Sequence, residues 1–234
     1  MKYVFIAEDE ASIRDFVVIN LRRSGYEVIE ATNGEEAIQK FNENADKIDV
    51  VILDIMMPLV DGFEVCKHIR SKSNRVGIIM LTAKTQEMDK ITGLMIGADD
   101  YVTKPFSPSE LMARVDAIYR RVSISNVAEA DADKTHIIRH KDFVLDTRSH
   151  TFTKNDEMIE LTQIEFQLIE FFFNNPNVAF KRGDILKGVW GDSFFGDDKI
   201  VDVNIHRIRN KIEEDPTHPR FLVTVWGVGY KWIV

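Results

Sequence analysis

Apolar residues in the first half of the chain occur in short runs, separated by stretches in which they recur every three or four positions. The runs at 2–7, 27–30, 50–53, 77–81 and 100–102 read as strands, and the stretches between them, 10–24 and 35–42 among them, as amphipathic helices. Strands alternating with helices predict a parallel sheet covered on both faces. Helix starts are marked locally. Ser107-Pro108-Ser109-Glu110 combines an N-cap serine, proline at the first helical position and a glutamate closing a capping box, and Asn33 with Glu36 repeats the spacing. Periodicity then fades over residues 123–136, SISNVAEADADKTH, which read as an interdomain linker.

Beyond the linker the pattern changes. Strands are expected at 137–145 and 150–160, the latter turning at Asn155-Asp156. Thr162 and Glu165 form another capping box, heading a helix with Ile164, Leu168, Phe171 and Phe172 at helical spacing. A helix at 182–190 and a third at 200–213 follow, the third with Val201, Ile205, Ile208 and Ile212 as its buried stripe. Residues 221–234, with Gly227 and Gly229 at the turn, read as a β-hairpin. The chain is therefore expected to hold a doubly wound α/β domain at 1–122 and an α+β domain at 137–234.

The 234 residues suit two ordinary domains, and 44% apolar with 29% charged residues excludes wholesale disorder. The single cysteine, Cys66, excludes an internal disulfide and a multi-cysteine metal site, which fits a reducing compartment. Val4-Phe5-Ile6-Ala7 ends at Glu8, too short for a signal peptide. No run approaches the ~20 apolar residues of a membrane span, so a cytoplasmic protein with no membrane partner is expected. The net charge is −8, with 16 basic and 20 acidic residues over 1–122 and 13 and 15 over 137–234, so neither half is globally basic.

In doubly wound sheets ligands bind beyond the carboxyl ends of the strands. Those positions hold Glu8 and Asp9 after the first strand, Asp54 after the third, Thr82 after the fourth and Lys104 after the fifth. Converging carboxylates repel one another and call for a hard cation, and Mg²⁺ suits an all-oxygen site. Lys104 adds a mobile point charge suited to a phosphate. A hydrolase with an aspartyl nucleophile and a D-x-D motif is the competing chemistry, but Asp54-Ile55-Met56 puts methionine where its acid/base would stand.

The segments IAEDE, VVILDIMMPLVDGFEV, IIMLTA and GADDYVTKPFSPSEL resemble the receiver domain of two-component response regulators, over essentially all of 1–122. The resemblance implies a flavodoxin-like fold with five parallel strands. It makes Asp54 the nucleophile for a phosphoryl group from a sensor histidine kinase. Mg²⁺ would be held by Asp54, by Asp9 directly, by Glu8 through water and by the Met56 carbonyl. Lys104 would pair with the phosphoryl oxygens, the Thr82 hydroxyl would move to meet them, and Tyr101 would be the aromatic switch that turns inward. Lys104-Pro105 matches the family's cis peptide. Glu8 stands where many members have aspartate, which retunes metal binding. The protein would be no enzyme in the usual sense, catalysing only its own phosphorylation and dephosphorylation.

Helices followed by a hairpin suggest a winged helix-turn-helix whose third helix enters the major groove. Lys199 to Lys211 holds four basic residues against Asp202 alone, a basic patch in a domain that is not basic. On a helical projection the face opposite the apolar stripe carries Val203, His206, Arg207 and Asn210, with Asn204 and Lys211 on one flank and Arg209 on the other. LTQIEFQLIEFF, KIVDVNIHRIRNKIE and FLVTVWGVGYKW resemble the C-terminal domain of the OmpR/PhoB family. By that resemblance Val203, Asn204, His206 and Arg207 face the groove, and Lys199, Arg209 and Thr224 contact the backbone. Lys211 joins the DNA-binding set. Lys199 replaces the family's usual arginine, and Trp226 replaces a wing-tip arginine, so it is expected to pack on sugar or backbone.

The resemblance further implies a homodimer on phosphorylation, with Lys90 facing Glu110, Asp100 facing Arg114 and Asp99 facing Arg121 across subunits; the same residues could equally pair within one chain. Implied partners are the kinase, double-stranded promoter DNA with direct repeats, and RNA polymerase. A second function class, a regulator that binds DNA without phosphorylation or a receiver whose main partner is a protein, is disfavoured by the complete acidic pocket. His136 and His140 are four residues apart without a third ligand, Cys66 reads as packing, and Trp190 and Trp232 read as core.

Overall fold

The computed structural model describes residues 1–83, 94, 96–124, 136–191 and 197–234. The chain divides into two compact units, Met1–Ser123 and Ile124–Val234. The expected linker falls largely on 125–135, outside the described residues.

In the N-terminal unit the elements run β1 (Tyr3–Ala7), α1 (Ala11–Arg23), β2 (Glu27–Ala31), α2 (Gly34–Asn44), β3 (Val50–Asp54), α3 (Gly62–Lys72), β4 (Gly77–Ala83), β5 (Asp100–Lys104) and α4 (Pro108–Ile124). The five strands form one parallel sheet in the order β2-β1-β3-β4-β5. Every residue of β3 is buried, as a central strand covered on both faces requires. Val4, Ile6, Val50, Ile52, Ile79 and Leu81 pack against Val17, Leu21, Leu111, Val115 and Ile118 on one side. Two helix starts are capped as expected, Asn33 accepting the Glu36 N–H and Ser107 the Glu110 N–H, and Asp61 caps a third by accepting the Glu64 N–H. The Glu36 carboxylate reaches past Asn33 to Thr32, accepting its N–H at 2.7 Å.

The C-terminal unit runs β6 (Ile137–His140), β7 (Phe143–Asp146), β8 (Thr151–Lys154), β9 (Glu157–Met158), α5 (Gln163–Phe173), β10 (Ala179–Lys181), α6 (Arg182–Trp190), α7 (Lys199–Ile212), β11 (Leu222–Val225) and β12 (Gly229–Trp232). The expected single strand at 137–145 is a hairpin. Lys141 takes a left-handed φ of 50° and turns the chain between β6 and β7, although no glycine or proline marks the spot. Four strands, β6-β7-β8-β9, make one antiparallel sheet, and β10, too short to be read from periodicity, completes a second in the order β10-β12-β11. Phe143, Phe173 and Trp232 join the first sheet, α5 and the hairpin, with ring centroids 5.2 and 4.8 Å apart at Trp232. Trp190 and Trp232 are core residues, as expected. Among the described residues no helix is long and apolar enough to cross a membrane.

Candidate functional site

Parallel pairing brings the carboxyl ends of β1, β3, β4 and β5 together. Glu8 follows β1, Asp54 ends β3, Thr82 is next to last in β4 and Lys104 ends β5. Lys104 Nζ donates to Glu8 Oε1 at 3.0 Å and forms ion pairs with Glu8 Oε2 at 2.8 Å and Asp54 Oδ2 at 3.1 Å. Glu8, Asp54 and Thr82 are buried, whereas Asp9 is exposed. The loop after β3 returns close to its own start: a Cβ on Gly62 would lie 2.2 Å from the Asp54 carbonyl oxygen, so only glycine fits. The Lys104-Pro105 peptide is cis.

Electrostatically the pocket is under-compensated. Burial raises the Glu8 carboxyl above the usual carboxylate range, and the neighbouring Asp54 charge adds to this, while Lys104 opposes it. Burial would lower the Lys104 ammonium, but Glu8 and Asp54 outweigh it and hold it above its ordinary value. Carboxylate oxygens of Glu8, Asp9 and Asp54 all lie within 4.8 Å of one another. Two carboxylates paired with Lys104 and a third beside them fit a hard divalent cation such as Mg²⁺, which takes few protein oxygens and keeps water. Among the described residues Thr82 Oγ1 makes a 3.4 Å bond to the Ala83 carbonyl, and the Met56 side chain is exposed. Tyr101 is buried on β5.

The residues expected to pair across subunits find partners inside the chain. Arg114 donates to the buried Asp100 at 3.1 and 2.9 Å and to the exposed Glu110 at 3.1 Å. Asp99 pairs with Arg70 at 2.7 Å and accepts the Ile78 N–H. Within this chain Asp99, Asp100, Glu110 and Arg114 thus follow the alternative that the sequence left open, pairing inside one chain: a buried carboxylate at a strand start takes a nearby guanidinium. Lys90 and the Arg121 side chain lie outside the described residues.

In the C-terminal unit the expected groove face of α7 is divided. His206 and Asn210 are exposed and joined by a 3.2 Å contact between His206 Nε2 and Asn210 Nδ2. Val203, Asn204 and Arg207 are buried, which corrects their expected exposure. Asn204 donates to the Ile200 carbonyl at 2.8 Å. Arg207 forms an ion pair with Glu165 at 2.8 Å, and Lys211 reaches the other oxygen of the same carboxylate at 2.7 Å. The reason is geometric: α5 and α6 both pack on α7, so its buried arc is wider than one apolar stripe. Burial pushes the Glu165 carboxyl up, but Arg207 and Lys211 outweigh it and hold it below the usual range. Arg209 ties α7 to the hairpin, donating to the Leu222 carbonyl at 2.7 Å and Thr224 Oγ1 at 2.9 Å. Lys199 is exposed at the start of α7, and Trp226 is 92% exposed at the hairpin tip, which excludes a core role for it.

Residues 4–116 match the family described as response regulator receiver domain, and residues 156–232 the one described as transcriptional regulatory protein, C terminal. The chain is 43% identical over 233 residues to the probable transcriptional regulator ycf27 of Cyanidium caldarium, covering 97% of this chain and 92% of that protein. It is 31% identical to response regulator DrrB, described as a Thermotoga maritima OmpR/PhoB homolog, with both chains covered completely and a TM-score of 0.50. The chain belongs to the OmpR/PhoB family of response regulators. A RitR mutant, 22% identical with 99% of each chain covered, shares the fold at a TM-score of 0.77.

This response regulator therefore joins a receiver unit, whose family implies a phosphodonor kinase, to a winged-helix unit, whose family implies DNA binding. Two of its residues escape a reading of motifs. Arg14, on α1, donates to the Glu8 carbonyl at 2.9 Å and steadies the acidic loop from outside the pocket. Asp202, on α7, accepts from Arg182 at 2.6 Å and from the Tyr230 hydroxyl at 2.7 Å, locking the hairpin to the helix. The Tyr230 hydroxyl is pushed up to about 12 by burial and by that aspartate.

Proposed function

We propose that this response regulator accepts a phosphoryl group on Asp54 from a sensor histidine kinase, dimerises, and regulates transcription at direct-repeat operators in promoter DNA together with RNA polymerase. Residues 1–122 act as the phosphoacceptor domain, 123–136 as the linker and 137–234 as the DNA-binding domain. The observation that carries the reading is the Lys104 ammonium held between Glu8 and Asp54 at the strand ends.

Phosphoryl transfer needs positioning and charge neutralisation more than a base. An Asp54 oxygen attacks phosphorus while the P–N bond of the phosphohistidine breaks and its electron pair leaves on the imidazole. Asp54, Asp9, the Met56 carbonyl and, through water, Glu8 would hold Mg²⁺, which supplies charge neutralisation of the phosphoryl oxygens. Lys104 exchanges its ion pair with Asp54 for one to a phosphoryl oxygen. Thr82 gives up its long bond to Ala83 for a shorter one to the phosphoryl group, and Tyr101 follows as the switch. Dimerisation through Asp99, Asp100, Glu110 and Arg114, with Lys90 and Arg121, would exchange internal ion pairs for external ones of the same kind, so it adds little net electrostatic energy. Lys199, His206 and the hairpin then face DNA.

Incubation with acetyl phosphate and Mg²⁺, followed by mass spectrometry and duplex binding, tests the reading. Wild type should gain one phosphoryl group and bind promoter fragments more tightly; Asp54→Asn should do neither. Undiminished labelling of Asp54→Asn would sink the assignment.

A further inference from the structure

Arg14 stands in the first turn of α1, where a cation opposes the helix dipole, and that turn has neither an acidic residue nor a side-chain cap from Glu10. The helix itself gives no reason for a guanidinium at this place. Its partners do. Arg14 Nη1 donates to the Glu8 carbonyl at 2.9 Å and to the Asp9 carbonyl at 3.4 Å, so one nitrogen grips two successive peptide oxygens. The side chain is largely buried, and its Nε lies 3.9 Å from Glu30 Oε2 on β2. One residue further along β2, the Ala31 carbonyl accepts the Glu8 N–H at 3.1 Å. The main chain carrying Glu8 and Asp9 is thus held by β2 and by Arg14, while carboxylate oxygens of both residues come within 4.8 Å of each other and of Asp54.

We propose that Arg14 is a positioning residue for the divalent cation: by fixing the peptide between Glu8 and Asp9 it aims both carboxylates at one point, and so makes the pocket selective for Mg²⁺ over Ca²⁺. The inference rests on the metal role given above to Glu8, Asp9 and Asp54, and adds a residue that acts on their backbone. Mg²⁺ tolerates little departure from octahedral geometry, whereas Ca²⁺ accepts a wide range, so loosening these two ligands harms Mg²⁺ far more. Groups that orient metal ligands from outside typically carry about 10–100-fold in metal affinity. Charge alone predicts the opposite sign. A guanidinium beside an acidic pocket repels a cation, and its removal would tighten the binding of both ions alike.

The test titrates Mg²⁺ and Ca²⁺ separately into the metal-free, full-length protein at constant ionic strength and follows the backbone amide resonances of Glu8, Asp9 and Asp54. Wild type should shift all three with either ion. Arg14→Ala should bind Mg²⁺ about 10–100-fold more weakly, with a much smaller change for Ca²⁺. Arg14→Lys, which keeps a charged donor for the same carbonyls, should recover most of the loss. Urea midpoints without metal show which variants are folded, and Arg14→Met, which keeps an unbranched stem but has no donor, carries the same expectation if Arg14→Ala does not fold. Mg²⁺ affinity unchanged or raised in a folded Arg14→Ala or Arg14→Met protein overturns the positioning role and leaves the pocket standing. Equal weakening of both ions overturns it as well, since the loop as a whole, and not its aim, would then have been lost. Failure of the wild type to bind Mg²⁺ at these three amides overturns the metal reading of the pocket, and the inference with it.

Discussion

Glu8 and Glu165 are both 0% exposed, one in each unit, and they are held in opposite ways. Among the described residues Glu8 shares the Lys104 ammonium with a second buried carboxylate, and its carboxyl is raised. Glu165 pairs with two cations, Arg207 and Lys211, and accepts the Thr162 N–H at 2.8 Å, and its carboxyl is lowered. A buried carboxylate with too little positive charge around it marks a place where a ligand's charge is awaited. One that is fully compensated joins elements of the fold, here the start of α5 and the middle of α7.

The largest test of that contrast is removal. Glu165→Ala leaves a buried guanidinium without its partner and should cost the C-terminal unit about 3–5 kcal/mol, read from the urea midpoint. Glu8→Gln relieves repulsion with Asp54 and should leave the metal-free N-terminal unit as stable as wild type, or more so. Comparable destabilisation by both changes would erase the distinction between an awaiting and a satisfied carboxylate.

Next in size is magnesium. A ligand that binds only the folded state stabilises by about 2.7 kcal/mol at a hundred times its Kd, and the N-terminal unit alone should show this. In calorimetry, Mg²⁺ should raise the transition of that unit, EDTA should reverse it, and Asp9→Asn should blunt it. Equal movement of the C-terminal transition would mean that the ion acts through general ionic strength rather than at Glu8, Asp9 and Asp54.

The two halves also differed in how far they could be read. Strand ends gather chemistry by topology, so naming Glu8, Asp54, Thr82 and Lys104 needed only the order of βα units. The face of α7 depends on what packs around it, and a projection cannot see that α5 and α6 both approach it; hence Val203 and Arg207, read as exposed, and Asn204, read as a flank, are buried. Glu165 was legible as a capping-box residue, but its pairing with residues 42 and 46 positions away was not. Asp100 was named with Arg114, its partner in the fold, but the choice of Arg70 by Asp99 was not legible, since sequence offers several cations for it and only the fold chooses. The turn at Lys141 failed for a local reason: a left-handed lysine leaves no mark in composition.

Acid should sharpen the comparison further. Burial lowers His140, stacked on Phe173, and lowers His150 against Phe166 despite the pull of Asp146. Their folded values lie below the ordinary 6.5, so the unfolded chain binds protons first and stability is lost as pH falls below that value. Glu165 is also depressed, so its contribution is present above the ordinary 4.5 and lost as pH falls through the folded value. The C-terminal unit should therefore lose stability in two successive windows. Glu165→Gln should abolish the lower one and keep the upper. A single window unaffected by that change would show that Arg207 and Lys211 do not hold the carboxylate charged.

The smallest effect is an expected near-absence. If Lys211 is committed to Glu165 and to the Glu160 carbonyl, 2.7 and 2.8 Å away, it is not a phosphate contact, whatever its basic neighbours suggest. Each phosphate contact adds about 0.9 to the slope of log affinity against log salt. Lys211→Gln should shift that slope by less than about 0.3, well short of one contact. Lys199→Gln, at the exposed start of α7, should reduce it by close to one contact. Glu165 keeps Arg207 in the Lys211 variant, so the helix stays seated and the comparison concerns charge alone. A full unit lost from Lys211→Gln would mean that DNA draws the lysine away from Glu165, and the carboxylate taken here as satisfied would then be the one that gives up a cation on binding.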